Sequence, residues 1–213
     1  MRGRSVRFNL LMIVLAVLVS GCHLVTFEIP EEALPAPLEM DRLVGQWKGS
    51  GGSPIQSMTI SKGENGWMLA DVIEEEQQKL TFRFRIAQMT QWTVWLQDMS
   101  SHERTLKDGK KQKPFPFSAY LTYGLEERDG MVALYPLDNS GVMRDIGLGR
   151  IGGTLINRCD PEIPGFGSSE TCVNPDAPLI YKTTGVDLGA YLKMAAAWAF
   201  QKRPALILSP MEK

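Results

Sequence analysis

The sequence predicts a mainly β fold, an antiparallel meander of strands that ends in one amphipathic helix and a last strand. Three observations predict it. Apolar and polar residues alternate in successive short runs, as they do in strands with one buried face. Turn residues, drawn from 20 glycines and 13 prolines in 213 residues, separate those runs. One stretch near the C-terminus carries its apolar residues at helical spacing instead.

The folded part opens with Leu43-Val44-Gly45-Gln46-Trp47-Lys48-Gly49. Gly51-Gly52-Ser53-Pro54 leads into Ile55–Ser61, with Met58 and Ile60 on one face. Lys62-Gly63-Glu64-Asn65-Gly66 is a turn, and Asn-Gly is a dipeptide that tight hairpins favour. Trp67–Ile73 is the returning strand, and Glu74, Glu75, Glu76, Gln77 and Gln78 read as a solvated crossing. Leu80, Phe82, Phe84 and Ile86 then alternate with Thr81, Arg83 and Arg85, so the apolar set faces inward and the arginines outward. Trp92, Val94 and Leu96 alternate with Thr93, Trp95 and Gln97. A hydrophilic loop runs from Ser100 to Pro114. Phe117, Ala119, Leu121, Tyr123 and Leu125 form the next run, and Asp129-Gly130 turns the chain into Met131–Leu137.

The second half is less regular. Asp138-Asn139-Ser140-Gly141 breaks the chain, and Gly147 to Gly153 is too glycine-rich for a stable helix. Thr154-Leu155-Ile156 and Leu179-Ile180-Tyr181 are short strand candidates. The helix is expected from Leu188 to Arg203. Thr184 and Asp187 stand at capping-box spacing, and Leu188, Tyr191, Leu192, Ala195, Trp198 and Ala199 share one face. Lys202 and Arg203 suit its C-terminal end, Pro204 stops it, and Leu206-Ile207-Leu208 is the final strand.

The first 22 residues decide the compartment. Arg2, Arg4 and Arg7 precede an apolar run from Leu10 to Val19. That run is too short for a membrane span of roughly 20 residues and suits a signal-peptide core. Leu18-Val19-Ser20-Gly21-Cys22 resembles the lipobox of bacterial lipoproteins. The resemblance implies a diacylglycerol thioether on Cys22, cleavage after Gly21 and further acylation of the freed amine; two or more chains hold a protein stably where one does not. The alternative is an ordinary secretory signal with Cys22 incidental. His23 stands where aspartate commonly retains such proteins in the inner membrane, which implies the outer membrane, facing the periplasm.

The expected organisation is a leader over 1–21, a lipidated cysteine with a Pro- and Glu-rich tether over 22–41, whose second half has packing along the domain as its alternative, and a single β domain over 42–213. Without the leader 192 residues remain, with 20 basic against 24 acidic side chains. This length suits one core. Cys159 and Cys172 form an even pair outside the cytoplasm, so a disulfide is expected, adding about 3 kcal/mol; two buried thiols are the alternative. No second apolar run is long enough to span a membrane, so the folded part is expected to be soluble.

Leu43, Gly45 and Trp47 at the start, the ordered strands, and a helix followed by one last strand are similar to the lipocalin and calycin barrels. The resemblance implies that Trp47 plugs one end of a barrel, that Gly45 allows close backbone packing, and that the interior binds a small hydrophobic ligand. The irregular second half leaves an open or incomplete barrel, filled by its own aromatic side chains, as the alternative.

The mild negative charge argues against nucleic-acid binding. Gly147-Leu148-Gly149-Arg150-Ile151-Gly152 matches G-x-G-x-x-G but follows no long strand and opens no helix, so no dinucleotide cofactor is expected. His23 and His102 are the only histidines. His102 and the Glu74–Glu76 run read as solvated, so no catalytic constellation is expected. No metal spacing is present. The candidate contacts for a ligand or partner are Trp92 and Trp95, which face opposite sides of a strand, and the basic residues Arg104, Lys107, Lys110 and Lys111, which could meet anionic lipid. The function expected is binding of a hydrophobic molecule, an envelope lipid or a protein partner by a lipid-anchored, non-enzymatic domain. Assembly into an envelope complex is the alternative, and an envelope hydrolase the third reading.

Overall fold

The computed structural model describes residues 23–51, 54–75, 78–106, 108–112, 118–156, 179–183 and 188–211. In chain order these form β1 (His23–Phe27), β2 (Gly45–Gly51), β3 (Ile55–Lys62), β4 (Met68–Glu74), β5 (Lys79–Met89), β6 (Trp92–Asp98), β7 (Glu103–Thr105), β8 (Lys111–Gln112), β9 (Tyr120–Arg128), β10 (Met131–Pro136), α1 (Asn139–Gly147), β11 (Thr154–Ile156), β12 (Leu179–Thr183), α2 (Leu188–Met194) and β13 (Leu206–Pro210). Among the described residues no helix is long and apolar enough to cross a membrane.

Eight strands close into an antiparallel barrel. β2, β3, β4, β5, β6, β9, β10 and β13 each pair with the next, and β13 returns to β2 through Leu206↔Gly51 to Pro210↔Trp47. Ring order follows chain order, so this is an up-and-down barrel, consistent with a lipocalin-like fold. Closure leaves these strands no free edge between them. The β7–β8 hairpin is inserted between β6 and β9, and α1, β11, β12 and α2 between β10 and β13. β5 is long enough to serve two neighbours on one edge, β6 along Phe84–Met89 and β7 along Lys79–Thr81.

The turns explain the register. Asn65 and Gly66 both take positive φ, 54° and 74°, as do Asp129 and Gly130 at 54° and 75°. Paired left-handed residues match the strand twist and fix a tight hairpin. Strict alternation follows: Met68, Ala70, Val72 and Glu74 point into the barrel, and Leu69, Asp71 and Ile73 point out. The barrel interior joins Trp47, Met58, Ile60, Phe82, Phe84, Ile86, Trp95, Tyr123, Leu134 and Leu208. Each large apolar side chain buried there is worth about 1.5–3 kcal/mol.

A second core lies outside the barrel wall, where Val25, Phe27, Ile29, Val94, Leu96, Tyr120, Leu188, Tyr191 and Leu192 pack together. It explains why β6 has no polar face: Trp95 and Gln97 face the lumen while Val94 and Leu96 face the second core.

Three expectations are corrected. The segment expected as a tether lies against the domain. β1 pairs in parallel with β12 and meets β9 at Phe27↔Tyr120, Leu38 N–H donates to Ile86 O at 2.7 Å, and Met40 enters the barrel core. Its acidic residues Glu31, Glu32 and Glu39 are exposed while Val25, Thr26, Phe27 and Ile29 are buried, so the segment docks through β1 and Ile29 and keeps these carboxylates in solvent. A helix, α1, forms where the chain was expected to break, because Val142 and Ile146, one turn apart, pack into the second core. α2 stops at Met194 rather than Arg203. The following residues turn so that Phe200 bridges Leu137, lies against Gly124 and meets the Trp92 ring edge-on at 5.0 Å. Packing on the wall overrides helical propensity there. Thr184 and Asp187 lie outside the described residues, as do Cys22, Cys159 and Cys172.

Candidate functional site

Trp47, near the start of β2, is buried in the barrel core with Leu43. The turn Asp41–Leu43 brings Leu43 beneath the barrel, and Trp47 Nε1 donates to Leu43 O at 2.8 Å. Mid-lumen, Phe84 and Trp95 stack with centroids 3.5 Å apart.

One end of the barrel is polar. Glu74 shares the inward parity of β4 and is 2% exposed. Arg104 lies opposite Leu80 on β7, so it also turns inward, and its Nη2 donates to both Glu74 oxygens at 2.8 and 3.0 Å. His102 packs 5.4 Å from the Phe82 ring, and the Gln97 amide donates to its Nε2 at 2.8 Å. Burial, with Arg104 beside it, holds the His102 ring down to about 4, so it is neutral near pH 7. Burial pushes the Glu74 carboxyl above its ordinary range, although Arg104 pulls the other way. Glu74 is therefore buried and His102 half-buried, in contrast to the sequence reading; the parity of β4 turns Glu74 into the barrel end, and His102, just before β7, packs on Phe82. Neither is free for proton transfer: the carboxylate is salt-bridged, and the ring nitrogen that could act as base is already accepting.

A cleft of about 770 Å³ lies on the outer wall, between residues 28–35 and the start of α2, lined by Ile29, Glu31, Arg83, Met89, Tyr120 and Leu188 among others. Arg83 and Arg85 project outward from β5, as the alternation predicts. The pairing Met68↔Phe84 brings Trp67 beside them, with the Arg83 and Arg85 guanidinium carbons 4.5 and 4.7 Å from its ring centroid. Tyr120 stacks on the same ring at 6.2 Å. Arg83 Nε pairs with Asp98 at 2.6 Å; Asp98, 0% exposed, also accepts from the Ser100 N–H and hydroxyl.

Arg85 differs. It is 8% exposed and, among the described residues, donates to the carbonyls of Pro35 and Asn65, at 3.4 and 3.1 Å. Among the described residues no carboxylate pairs with it, and its Nε and the Trp67 Nε1 are buried without a partner. Burial lowers its proton affinity below that of an ordinary arginine. Burial also raises the Tyr120 hydroxyl above its usual range, so it stays protonated and able to donate.

The expected contact residues are not gathered together. Trp95, 1% exposed, and Arg104 lie in the barrel; Trp92 packs in the second core; Lys110 pairs with Asp108 at the hairpin tip; Lys111 is exposed on β8; Lys107 lies outside the described residues. The sequence reading placed Arg83 and Arg85 outward but gave them no role. The available signal was the short connection between β4 and β5, whose register, Met68↔Phe84, carries Trp67 opposite Arg85. The G-x-G-x-x-G stretch ends α1 rather than opening a helix: Gly149 takes φ 66° and its N–H donates to Ile146 O. Among the described residues no cluster of three His, Cys, Asp or Glu could hold a metal ion.

Compared with protein-family models, with curated proteins and with solved structures, the chain matches none. The functional reading therefore rests on residues and geometry.

Proposed function

We propose that this chain is a lipid-anchored protein of the cell envelope, and that its barrel serves as scaffold rather than container for a bound molecule. Cys22 carries the acyl anchor, and a small, largely apolar ligand occupies the outer cleft. The observation that carries this reading is the cleft: its volume falls in the range of ligand sites, and it is lined by Ile29, Ala33, Met89 and Leu188 together with Glu28, Glu31, Arg83 and Tyr120. The Phe84–Trp95 stack within the lumen, the buried Trp47 and the Glu74–Arg104 pair support a ligand outside the barrel. A non-enzymatic role is supported by the engagement of Glu74, His102, Ser100 and Ser101 in internal hydrogen bonds. The anchor is supported by the Leu18–Cys22 pattern, and placement in the outer membrane by His23.

Two measurements test it. Cys22→Ser is expected to move the protein out of the membrane fraction and to abolish fatty-acid labelling; unchanged fractionation and labelling overturn the anchor. Native mass spectrometry of protein purified in mild detergent is expected to show a retained small molecule that a Leu188→Trp variant loses; equal retention by the variant overturns the cleft.

A second reading, assembly into an envelope complex, is favoured by β8, which ends the sheet beside the exposed Lys110 and Lys111. One stoichiometric crosslinked partner, lost on removing the hairpin, supports it; a monomer without partner counts against it.

A further inference from the structure

We infer that the outer cleft selects a molecule with an apolar body and a single anionic group, a carboxylate or a phosphate ester. The inference rests on the reading of the cleft as the ligand site. Arg83 and Tyr120 line the cleft, and Arg85 lies directly behind Pro35, a lining residue whose carbonyl it touches. Arg83 is matched by Asp98. Arg85 is not: it is a buried cation whose acceptors are two neutral carbonyls, with Nε unpartnered beside an unpartnered indole N–H. A buried cation with no carboxylate in hydrogen-bond contact costs stability, which the Trp67 ring and the more distant Glu31 offset only in part.

A monoanion in the cleft supplies the missing charge. Arg83 and the Tyr120 hydroxyl contact it, while Arg85 acts through a short distance of low dielectric, where attraction is stronger than in water. Glu28 and Glu31 line the same cleft. They oppose any anion and a polyanion more strongly, so only a single negative charge held beside Arg83 and Tyr120 is favoured. Ile29, Ala33, Met89 and Leu188 receive the apolar body.

The test is calorimetric titration of the full chain with four probes of matched chain length, each below its micelle concentration: decanoate, decyl phosphate, decyltrimethylammonium and decyl maltoside. The two anions are expected to bind about tenfold or more tightly than the other two. Arg85→Met is expected to remove that preference, bringing the two anions down to the affinity of decyl maltoside. Decanoate against decyl phosphate then assigns the head group. If Arg85→Met does not fold, Arg83→Gln carries the same test. Equal binding of all four probes, unaltered in the arginine variants but abolished by Leu188→Trp, overturns anion selection and leaves the cleft standing. Failure of every probe to bind, or binding that survives Leu188→Trp, overturns both.

Discussion

His102 shows what a closed barrel end does to a titrating side chain. The unfolded ring takes up its proton near 6.5 and the folded ring near 4. Between those values the unfolded chain binds more protons. The stabilisation linked to His102 is therefore full above pH 6.5 and is lost as pH falls toward 4. Glu74, whose carboxyl is raised by burial, contributes with the opposite sign, so the effect is read as the difference between parent and His102→Gln, which share Glu74. With two histidines in the chain, nuclear magnetic resonance can follow the ring directly: a midpoint near 4 with Nε2 unprotonated at pH 7 is expected, and a midpoint near 6.5 contradicts the buried placement. The Glu74–Arg104 pair makes a second prediction. Arg104→Met leaves a buried carboxylate unpaired and is expected to cost about 3–5 kcal/mol in urea denaturation, while adding Glu74→Leu recovers most of the loss. Glu74 was hidden in the sequence by its neighbours. A run of three glutamates reads as solvent-exposed, yet position 74 has the parity of Met68, Ala70 and Val72, and parity decides.

At the scale of elements, β1 carries the sharpest consequence. Phe27 is 0% exposed and lies 5.9 Å from Tyr191 of α2, so it joins the N-terminal strand to the helix through the second core. Phe27→Ala is expected to destabilise the domain by about 3–5 kcal/mol; a free tether predicts no change in the melting curve. The strands of the barrel were legible because local patterns settle them: alternation along Leu80–Ile86 and positive-φ turns at Asn65-Gly66 and Asp129-Gly130. β1, α1 and the end of α2 were not, because contacts distant in sequence settle them. Val142 is helical for the core it meets, and Phe200 leaves helical geometry for Leu137, Gly124 and Trp92. The outer site was half legible. Arg83 and Arg85 could be placed on the outer face, but the prolines and glutamates of residues 28–38 hid the strap whose Pro35 carbonyl meets Arg85.

Over the whole molecule, closure is what turns a meander into a scaffold. The seam joins the first and last strands of the ring, β2 and β13, and places Ser209 opposite Lys48. A Lys48→Cys/Ser209→Cys pair is expected to crosslink on oxidation, giving one disulfide-linked peptide by mass spectrometry; an open sheet leaves the two thiols apart. Phe84, Trp95 and Tyr123 pack inside the closed barrel, and the proposed function places binding on the outer wall, where residues 28–35 and the start of α2 line a cleft. Photolabelling of the full chain with a diazirine derivative of decanoate tests this most directly. Labels on Ile29, Met89, Tyr120 or Leu188 are the predicted result; labels on Phe84, Trp95 or Tyr123, inside the barrel, would contradict it.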